Sequence, residues 1–188
     1  MTVVRILSHL VTLSFSVAGF VCLLGIAVTR AQPSEELESK VKAGLLIKFA
    51  SYVEWPSNSF ASTTSPIVIG VLGQEAVGRY LDEIAAGRTI ETHPIVIKRA
   101  RRAVELTNCH IAFIATPERD RQRLVYSLLQ GKPVLTVSDM EAITAAKGMI
   151  LLRRRQGTMG FEINREAAEQ VGLKISSKLL RLADNYRQ

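Results

Sequence analysis

Residues 34–56, SEELESKVKAGLLIKFASYVEWP, predict the first element of the domain. Ser34 can accept hydrogen bonds from the first turn of a helix, and two glutamates follow it where a helix N-terminus favours acids. Apolar residues then recur at four-residue spacing, which predicts one buried helical face. That face would consist of Leu37, Val41, Leu45, Phe49 and Val53. Leu46, Ile47 and Ala50 widen the apolar arc, so the helix should be buried on more than one side. Trp55, the only tryptophan, precedes Pro56, which disfavours the helical conformation in the residue before it. We expect a core helix ending in aromatic residues that either pack or also form a recognition surface.

Beyond this helix, short β-branched runs alternate with segments of helical spacing. Strand-like runs cover 66–72, 94–98, 110–114 and 133–137, and helical segments cover 74–86 and the residues after Thr116-Pro117-Glu118, an expected N-cap and first turn. This alternation predicts βαβ units and a parallel sheet with helices on both faces. Residues 149–153 and 159–163 flank Gln156-Gly157 and predict an antiparallel hairpin. The expected fold is therefore a three-layer α/β/α structure with a mostly parallel sheet and an added C-terminal antiparallel hairpin.

The N-terminus has the layout of a secretory signal. Residues 1–31 contain no acidic residue, and Arg5 precedes an apolar run over 11–28 and small residues that suit cleavage after Ala31. The run approaches the roughly 18 residues that a spanning helix needs, so an uncleaved anchor remains an alternative. We predict a signal peptide over 1–31 and one periplasmic domain over 32–188.

The charge of the chain limits the classes of binding partner, and its cysteine content limits the disulfides it can form. The chain has a formal net charge of +7, which suits an acidic protein face or anionic lipid, and export disfavours nucleic acid. Its basic runs are either solvated or steer the protein toward such a partner. Beyond the leader the only cysteine is Cys109, so no intramolecular disulfide is expected there.

A ligand pocket is a second possibility. Ligands of open α/β sheets gather at the carboxyl ends of the strands, where we expect Gly73, Thr116 and Asp139. Glu162, on the hairpin, could line the same cleft. The alternative roles are a helix cap for Asp139, ahead of residues 140–146, and a solvated edge for Glu162.

Motifs for catalysis and cofactors are weak. The glycines around residue 73 lack the spacing of a dinucleotide fingerprint. Cys109 and His110 are adjacent on a predicted strand, so their side chains point to opposite faces and cannot form a dyad. Histidine and cysteine are too few for a structural zinc site. We predict no catalytic residue, cofactor or metal.

Several fragments, taken in order, resemble the YfiR-like family of bacterial periplasmic proteins. They are KFASYVEWP (48–56), IGVLG (69–73), CHIAFIA (109–115), GKPVLTVSD (131–139), GFEIN (160–164) and GLKISSKLLRLA (172–183). The resemblance covers residues 41–183. Its first and last fragments are the most specific.

The resemblance implies a non-enzymatic periplasmic regulator with a compact α/β/α fold, described as a dimer. Such a protein binds and inhibits a membrane-bound signalling protein, a diguanylate cyclase, and lowers cyclic di-GMP; an outer-membrane lipoprotein can sequester it. A periplasmic small-molecule-binding sensory module is the alternative. Our candidate partner-binding residues are Tyr52, Trp55, Pro56, Arg153, Arg154, Lys174 and Lys178.

One departure from the family concerns a cysteine. Where the family has ICVLG, this chain has Gly70 in place of the cysteine, while the partner position keeps Cys109. The resemblance therefore implies that Cys109 is a buried, unpaired thiol. Gly70 would also leave a hole for neighbouring side chains to fill.

Overall fold

The structure, a computed structural model, describes residues 33–139 and 148–185. The helices are α1 (Pro33–Tyr52), α2 (Glu75–Ala85), α3 (Arg119–Leu129), α4 (Arg165–Glu169) and α5 (Ser177–Leu180). The strands are β1 (Val53–Glu54), β2 (Ile67–Leu72), β3 (Thr89–Ile90), β4 (His93–Ala100), β5 (Ile111–Ile114), β6 (Leu135–Ser138), β7 (Ile150–Arg155), β8 (Thr158–Ile163) and β9 (Lys174–Ile175). Short 3₁₀ turns occupy Ser57–Ser59, Ala103–Asn108 and Thr116–Glu118.

Seven strands form the main sheet, in the order β3-β4-β2-β5-β6-β7-β8. The pairings from β4 to β7 are parallel, and the outer pairs β3–β4 and β7–β8 are antiparallel. The β7–β8 turn is Gln156-Gly157, whose positive φ angles of 47° and 81° suit a two-residue hairpin. The predicted mostly parallel sheet with an added C-terminal hairpin is confirmed.

Apolar side chains cover both faces of this sheet. Strand β5 sends Ile111 and Phe113 toward α1 and α2, and Ala112 and Ile114 toward α3 and the 103–108 turn. Each face is a separate buried cluster. The two clusters give the three layers that the alternation of strands and helices predicts.

The buried face of α1 differs from the predicted one. Leu37 is 63% exposed and Val41 38%, whereas Phe49 is fully buried. A helix with 3.6 residues per turn places every fourth residue about 40° further round, so a strict four-residue spacing leaves the buried face within a few steps. The stripe that contacts the sheet combines spacings of three and one. It consists of Ser39, Lys42, Ala43, Leu46, Phe49 and Ala50, continued by Val53.

Helix α1 also ends earlier than predicted. It stops at Tyr52, and Val53–Glu54 pairs antiparallel with Lys174–Ile175 as a separate two-stranded sheet. The 176 amide extends this pairing by donating to the carbonyl of Tyr52 at 2.9 Å. The sheet ties the two ends of the domain together, and the sequence patterns did not predict it.

Two helices begin at side-chain caps, whereas the expected caps Ser34 and Thr116 are wrong: α1 begins at Pro33, so Ser34 lies within the helix. The side chains of Asn164 and Ser176 accept the amides of residues 167 and 179 at the starts of α4 and α5. Thr116 was expected to cap α3, but α3 begins at Arg119 and the Thr116 side chain bonds Asp139 instead.

Within the described residues, no helix has both the length and the apolar character needed to cross a bilayer. The predicted leader, residues 1–31, and the segment that Asp139 was expected to cap, residues 140–146, lie outside the described residues.

Candidate functional site

The two most specific fragments of the sequence meet in one place. Residues 52–56 and 172–176 are joined by the β1–β9 pairing, with Glu54 opposite Lys174 in the register. Gly172 has φ +79°, and a Cβ at this position would lie 3.0 Å from the Pro56 ring. We call these two segments, together with Phe60, His93 and His110, the aromatic region. Both fragments are therefore required by the fold itself, because each packs on the other.

The indole ring of Trp55 is held in place by contacts with His110. Its indole Nε1–H donates to the carbonyl of His110 at 3.3 Å, and the two rings meet edge-on with centroids 5.9 Å apart. The side chain remains partly exposed, as do those of Tyr52 and Pro56. Trp55 thus has a defined orientation and still presents surface to the outside.

Three rings stack beside Trp55. The ring of Phe60 lies between His93 and His110, with centroid distances of 4.2 Å and 4.6 Å. Nδ1 of His110 accepts the amide of residue 68 at 3.0 Å, so its proton lies on Nε2, which is 3.2 Å from the carbonyl of residue 59. Burial lowers the pKa of His110, and the neighbouring His93 lowers it further, against the raising effect of the residue 59 carbonyl. The geometry holds His110 neutral.

A cavity of about 480 Å³ opens against this stack. Tyr52, Trp55 and Phe60 supply aromatic lining, and Glu54 and Glu91 supply carboxylates. Sequence patterns missed this cavity, because Phe60 and Glu91 come from a loop and a short turn that carry no periodic signal, and His93 is only the first residue of β4.

A second cluster lies between α1, the ends of β5 and β6, and the hairpin. Asp139 accepts the backbone amide of Thr116 at 2.7 Å and its hydroxyl at 2.9 Å. The same carboxylate contacts the ammonium of Lys42 at 2.5 Å, and both side chains are only 6% exposed. We call Glu38, Lys42, Thr116, Asp139 and Arg154 the charged region.

Lys42 keeps its charge in this buried position. Burial alone would lower its pKa, but hydrogen bonds to Asp139 and to Glu38, at 2.7 Å, outweigh burial and raise the pKa. Glu38 is also paired with Arg154 at 3.4 Å. Two carboxylates and two cations therefore neutralise one another. Sequence reasoning missed Lys42 because it placed Leu37 and Val41 on the buried face of α1; a search at three- and four-residue spacing from Phe49 would have reached Lys42.

The four predicted pocket residues are only partly brought together. Thr116 and Asp139 are in contact, as expected for adjacent strand ends. Gly73, with φ +94°, lies against Glu118, so that a Cβ there would collide with that side chain. Glu162 pairs with Arg153 at 3.1 Å, and both project from the hairpin. A cavity of about 260 Å³ does lie here, but its lining is Glu38, Lys42, Asp139 and the 152–155 and 159 positions of the hairpin.

The predicted partner-binding residues divide into two groups. Tyr52, Trp55 and Pro56 share the aromatic region with Lys174, and Lys178 follows in α5, with both lysines exposed. Arg153 and Arg154 belong to the hairpin beside the charged region, where each is paired with a glutamate.

Cys109 and Gly70 are neighbours. A Cβ on Gly70 would lie 2.7 Å from Sγ of Cys109 and 3.4 Å from its Cβ. Cys109 is buried and unpaired, and burial raises its pKa to about 11. Leu106 and Cys109 fill the space that a side chain at position 70 would take. These contacts agree with the pairing that the resemblance implies for a cysteine at position 70.

Across the described ranges, 33–139 and 148–185, no group of three or more histidine, cysteine, aspartate or glutamate side chains is arranged to hold a metal ion. The chain was also compared with models of known protein families. The model of the family described as YfiR/HmsC-like matches residues 39–184, which include nearly all of both regions.

Proposed function

Because this chain belongs to the YfiR/HmsC-like family, we propose that it is a non-enzymatic periplasmic regulator that binds and inhibits a membrane-bound diguanylate cyclase. The family match over residues 39–184 is the observation that carries the proposal. It supports a role as a periplasmic regulator of cyclic di-GMP signalling. We propose in addition that the cyclase is the direct target, that the chain forms a homodimer, and that an outer-membrane lipoprotein can sequester it.

The aromatic region is the contact surface that we propose. Trp55 and Tyr52 are partly exposed, and tryptophan and tyrosine are enriched among residues that dominate binding energy. The hydrogen bond from Trp55 to the His110 carbonyl fixes the ring before any partner arrives, which lowers the entropy lost on binding. Pro56, Lys174 and Lys178 would form the rim.

Arg153 and Arg154 have a lesser part in this proposal. Both guanidinium groups already pair with glutamates, so a partner would have to compete with Glu162 and Glu38. Exposed charges of this kind mainly accelerate encounter with an oppositely charged partner.

Inhibition requires differential affinity. A regulator shifts the sensor portion of a cyclase toward the inactive arrangement only if it binds that arrangement more tightly than the active one. The rigid surface around Trp55 would provide this selectivity by matching one arrangement of the sensor.

The first test is deletion of the gene followed by measurement of cyclic di-GMP. We expect the level to rise, and to fall again when the wild-type gene is restored. Trp55→Ala should fail to restore the low level and should not co-purify with a cyclase. Leu124→Ala is the matched control, because Leu124 is an exposed apolar residue on α3, on the other side of the sheet.

Unchanged cyclic di-GMP after deletion, together with absence of any cyclase among cross-linked partners, would contradict the proposal. Thermal unfolding of Trp55→Ala must accompany the experiment, since loss of folding would also abolish binding. If Trp55→Phe keeps the fold and still loses the cyclase, the indole itself is required.

The alternative module, with a small-molecule pocket at Gly73, Thr116, Asp139 and Glu162, gains less support. Asp139 is occupied by Lys42 and Thr116, and Glu162 by Arg153. Their carboxylates are not available to a ligand without breaking existing pairs.

A further inference from the structure

The cavity in the aromatic region has an acidic lining without lysine or arginine among its described residues. Its carboxylates are those of Glu54 and Glu91, both exposed, and the described residues that line it include neither lysine nor arginine. Within the described part of the chain, neither glutamate forms an ion pair; Lys174 is opposite Glu54 in the strand register but does not line the cavity. The cavity of the charged region differs, because its carboxylates are all paired.

The remaining polar side chains of the lining carry hydroxyl, indole and imidazole groups. Nδ1 of His93 is 2.6 Å from the carbonyl of residue 65 and is used in that hydrogen bond. The His93 ring is also stacked on Phe60. The electrostatic character of the cavity is therefore negative.

The apolar part of the lining is aromatic. Both faces of the Phe60 ring are covered by histidines, so Tyr52 and Trp55 are the rings that a ligand would contact. Aromatic rings attract cations through the negative charge density of their faces, and the attraction is strongest for tryptophan.

The turn that carries Glu91 is held in an uncommon conformation. Glu91 has φ +54°, a region that a glutamate rarely adopts. Thr92 anchors this turn by donating its hydroxyl to the carbonyl of residue 63. The backbone therefore keeps Glu91 at the edge of the cavity at some conformational cost.

We propose that this cavity binds a small organic cation, an amine or quaternary ammonium compound with an apolar body. The carboxylates of Glu54 and Glu91 balance its charge, and the rings of Tyr52 and Trp55 contact its apolar part. A volume of about 480 Å³ lies within the range of sites for small ligands. Tyr52 and Trp55 belong both to this cavity and to the proposed contact surface for a cyclase, but binding of the cation itself requires no partner protein.

The probe is choline, and its control is the neutral alcohol in which a tert-butyl group replaces the trimethylammonium group. The two compounds have the same shape and differ in charge. Because Trp55 is the only tryptophan and lines the cavity, its fluorescence reports occupancy in the purified protein. We expect choline to bind with a dissociation constant on the order of 1 mM, as suits a ligand of few atoms, and the alcohol to bind about fivefold more weakly.

Charge removal in the protein provides the second half of the test. Glu91→Gln and Glu54→Gln should each weaken choline binding about threefold, and the double variant should bind choline no better than the alcohol. Glu83→Gln is the matched control, since Glu83 is an exposed carboxylate of α2 that does not line the cavity. Thermal unfolding of each variant shows whether its fold is intact.

Equal affinity for choline and the alcohol would overturn the proposal, as would unchanged choline affinity in the double variant. Absence of both a fluorescence change and a saturation-transfer NMR signal from the choline methyl groups would overturn it as well. None of these measurements involves a cyclase, so they leave the proposed regulatory function untouched.

Discussion

The charged region and the aromatic region both include part of α1, but they satisfy their polar groups differently. In the charged region Lys42 lies between two carboxylates, and Thr116 adds two hydrogen bonds to one of them. In the aromatic region the Trp55 indole and the His110 ring bond to main-chain groups. One region is fixed by ion pairs between side chains, and the other by backbone hydrogen bonds and ring packing.

This difference shows why charge in a sequence is a poor guide to a binding surface. Arg153 and Arg154 are conspicuous in the sequence, yet each is paired with a glutamate of the same chain. Glu54 and Glu91 are inconspicuous, yet they line a cavity that has no lysine or arginine among its described lining residues. The charged residues available to a partner are those that form no ion pair within the chain.

The largest predicted effect is a difference in stability between substitutions of two lysines of α1. Lys42→Met leaves the buried carboxylate of Asp139 without its ammonium partner, so we expect the free energy of unfolding to fall by about 3–5 kcal/mol. Lys48→Met, on the exposed side of the same helix, should change it by no more than about 0.5 kcal/mol. Urea unfolding followed by circular dichroism measures both. Similar effects for the two variants would mean that the charged region does not stabilise the fold.

Lys42 also marks a limit of prediction from sequence. The amphipathic character of 34–56 predicted a core helix correctly, but not its orientation. In the first half of α1 the large apolar residues Leu37 and Val41 are exposed. The buried stripe contains Ser39, Lys42 and Ala43, because small residues let the helix approach the sheet and a lysine is tolerated where carboxylates meet it.

Strands with strong periodic signals were predicted well, and short ones were not. The main sheet and the hairpin followed from β-branched runs and from Gln156-Gly157. Each strand of the β1–β9 pair has two residues, and the strands are about 120 positions apart in the chain, so neither local pattern nor turn signal indicates them. The aromatic region depends on this pairing. The family resemblance identified the residues of 52–56 and 172–176 as specific fragments, but it did not predict that the two fragments contact each other.

A third site, in the core on the α3 side of the sheet, supplies a reference outside both regions. In a Cys22→Ser background, Gly70→Cys should form a disulfide with Cys109, because the two Cβ positions would be 3.4 Å apart. We expect the oxidised variant to be about 2–4 kcal/mol more stable than the same variant reduced. Thiol titration and urea unfolding with and without reductant measure this. A free thiol count of two under oxidising conditions would show that residues 70 and 109 do not face each other.

Two glycine substitutions compare the aromatic region with the exposed side of α1. Gly172→Ala places a Cβ 3.0 Å from the Pro56 ring at φ +79°, so we expect a loss of about 1–2 kcal/mol in unfolding free energy. Gly44→Ala, in α1 with nothing within 4 Å of the new Cβ, should raise stability by about 0.5–1 kcal/mol. The two effects have opposite signs, and thermal or urea unfolding resolves them. If both substitutions lowered the unfolding free energy, the loss at Gly172 could not be attributed to its positive φ and its contact with Pro56.

The smallest effect appears in the pH dependence, where the two regions act on opposite sides of neutrality. The pKa of His110 is lowered from 6.5, so the unfolded chain binds its proton more readily; its stabilising contribution is complete above pH 6.5 and is lost as the pH falls through the lowered value. The pKa of Lys42 is raised from 10.5, so its contribution is complete below pH 10.5 and is lost as the pH rises through the raised value. His110→Gln should therefore flatten the acid side of the stability curve, and Lys42→Met should remove the loss of stability on the alkaline side. Unfolding free energies measured from pH 5 to pH 11 test this assignment. An acid side that keeps its slope in His110→Gln would mean that protonation of His110 does not loosen the aromatic region, and Trp55 would then be held in place independently of pH.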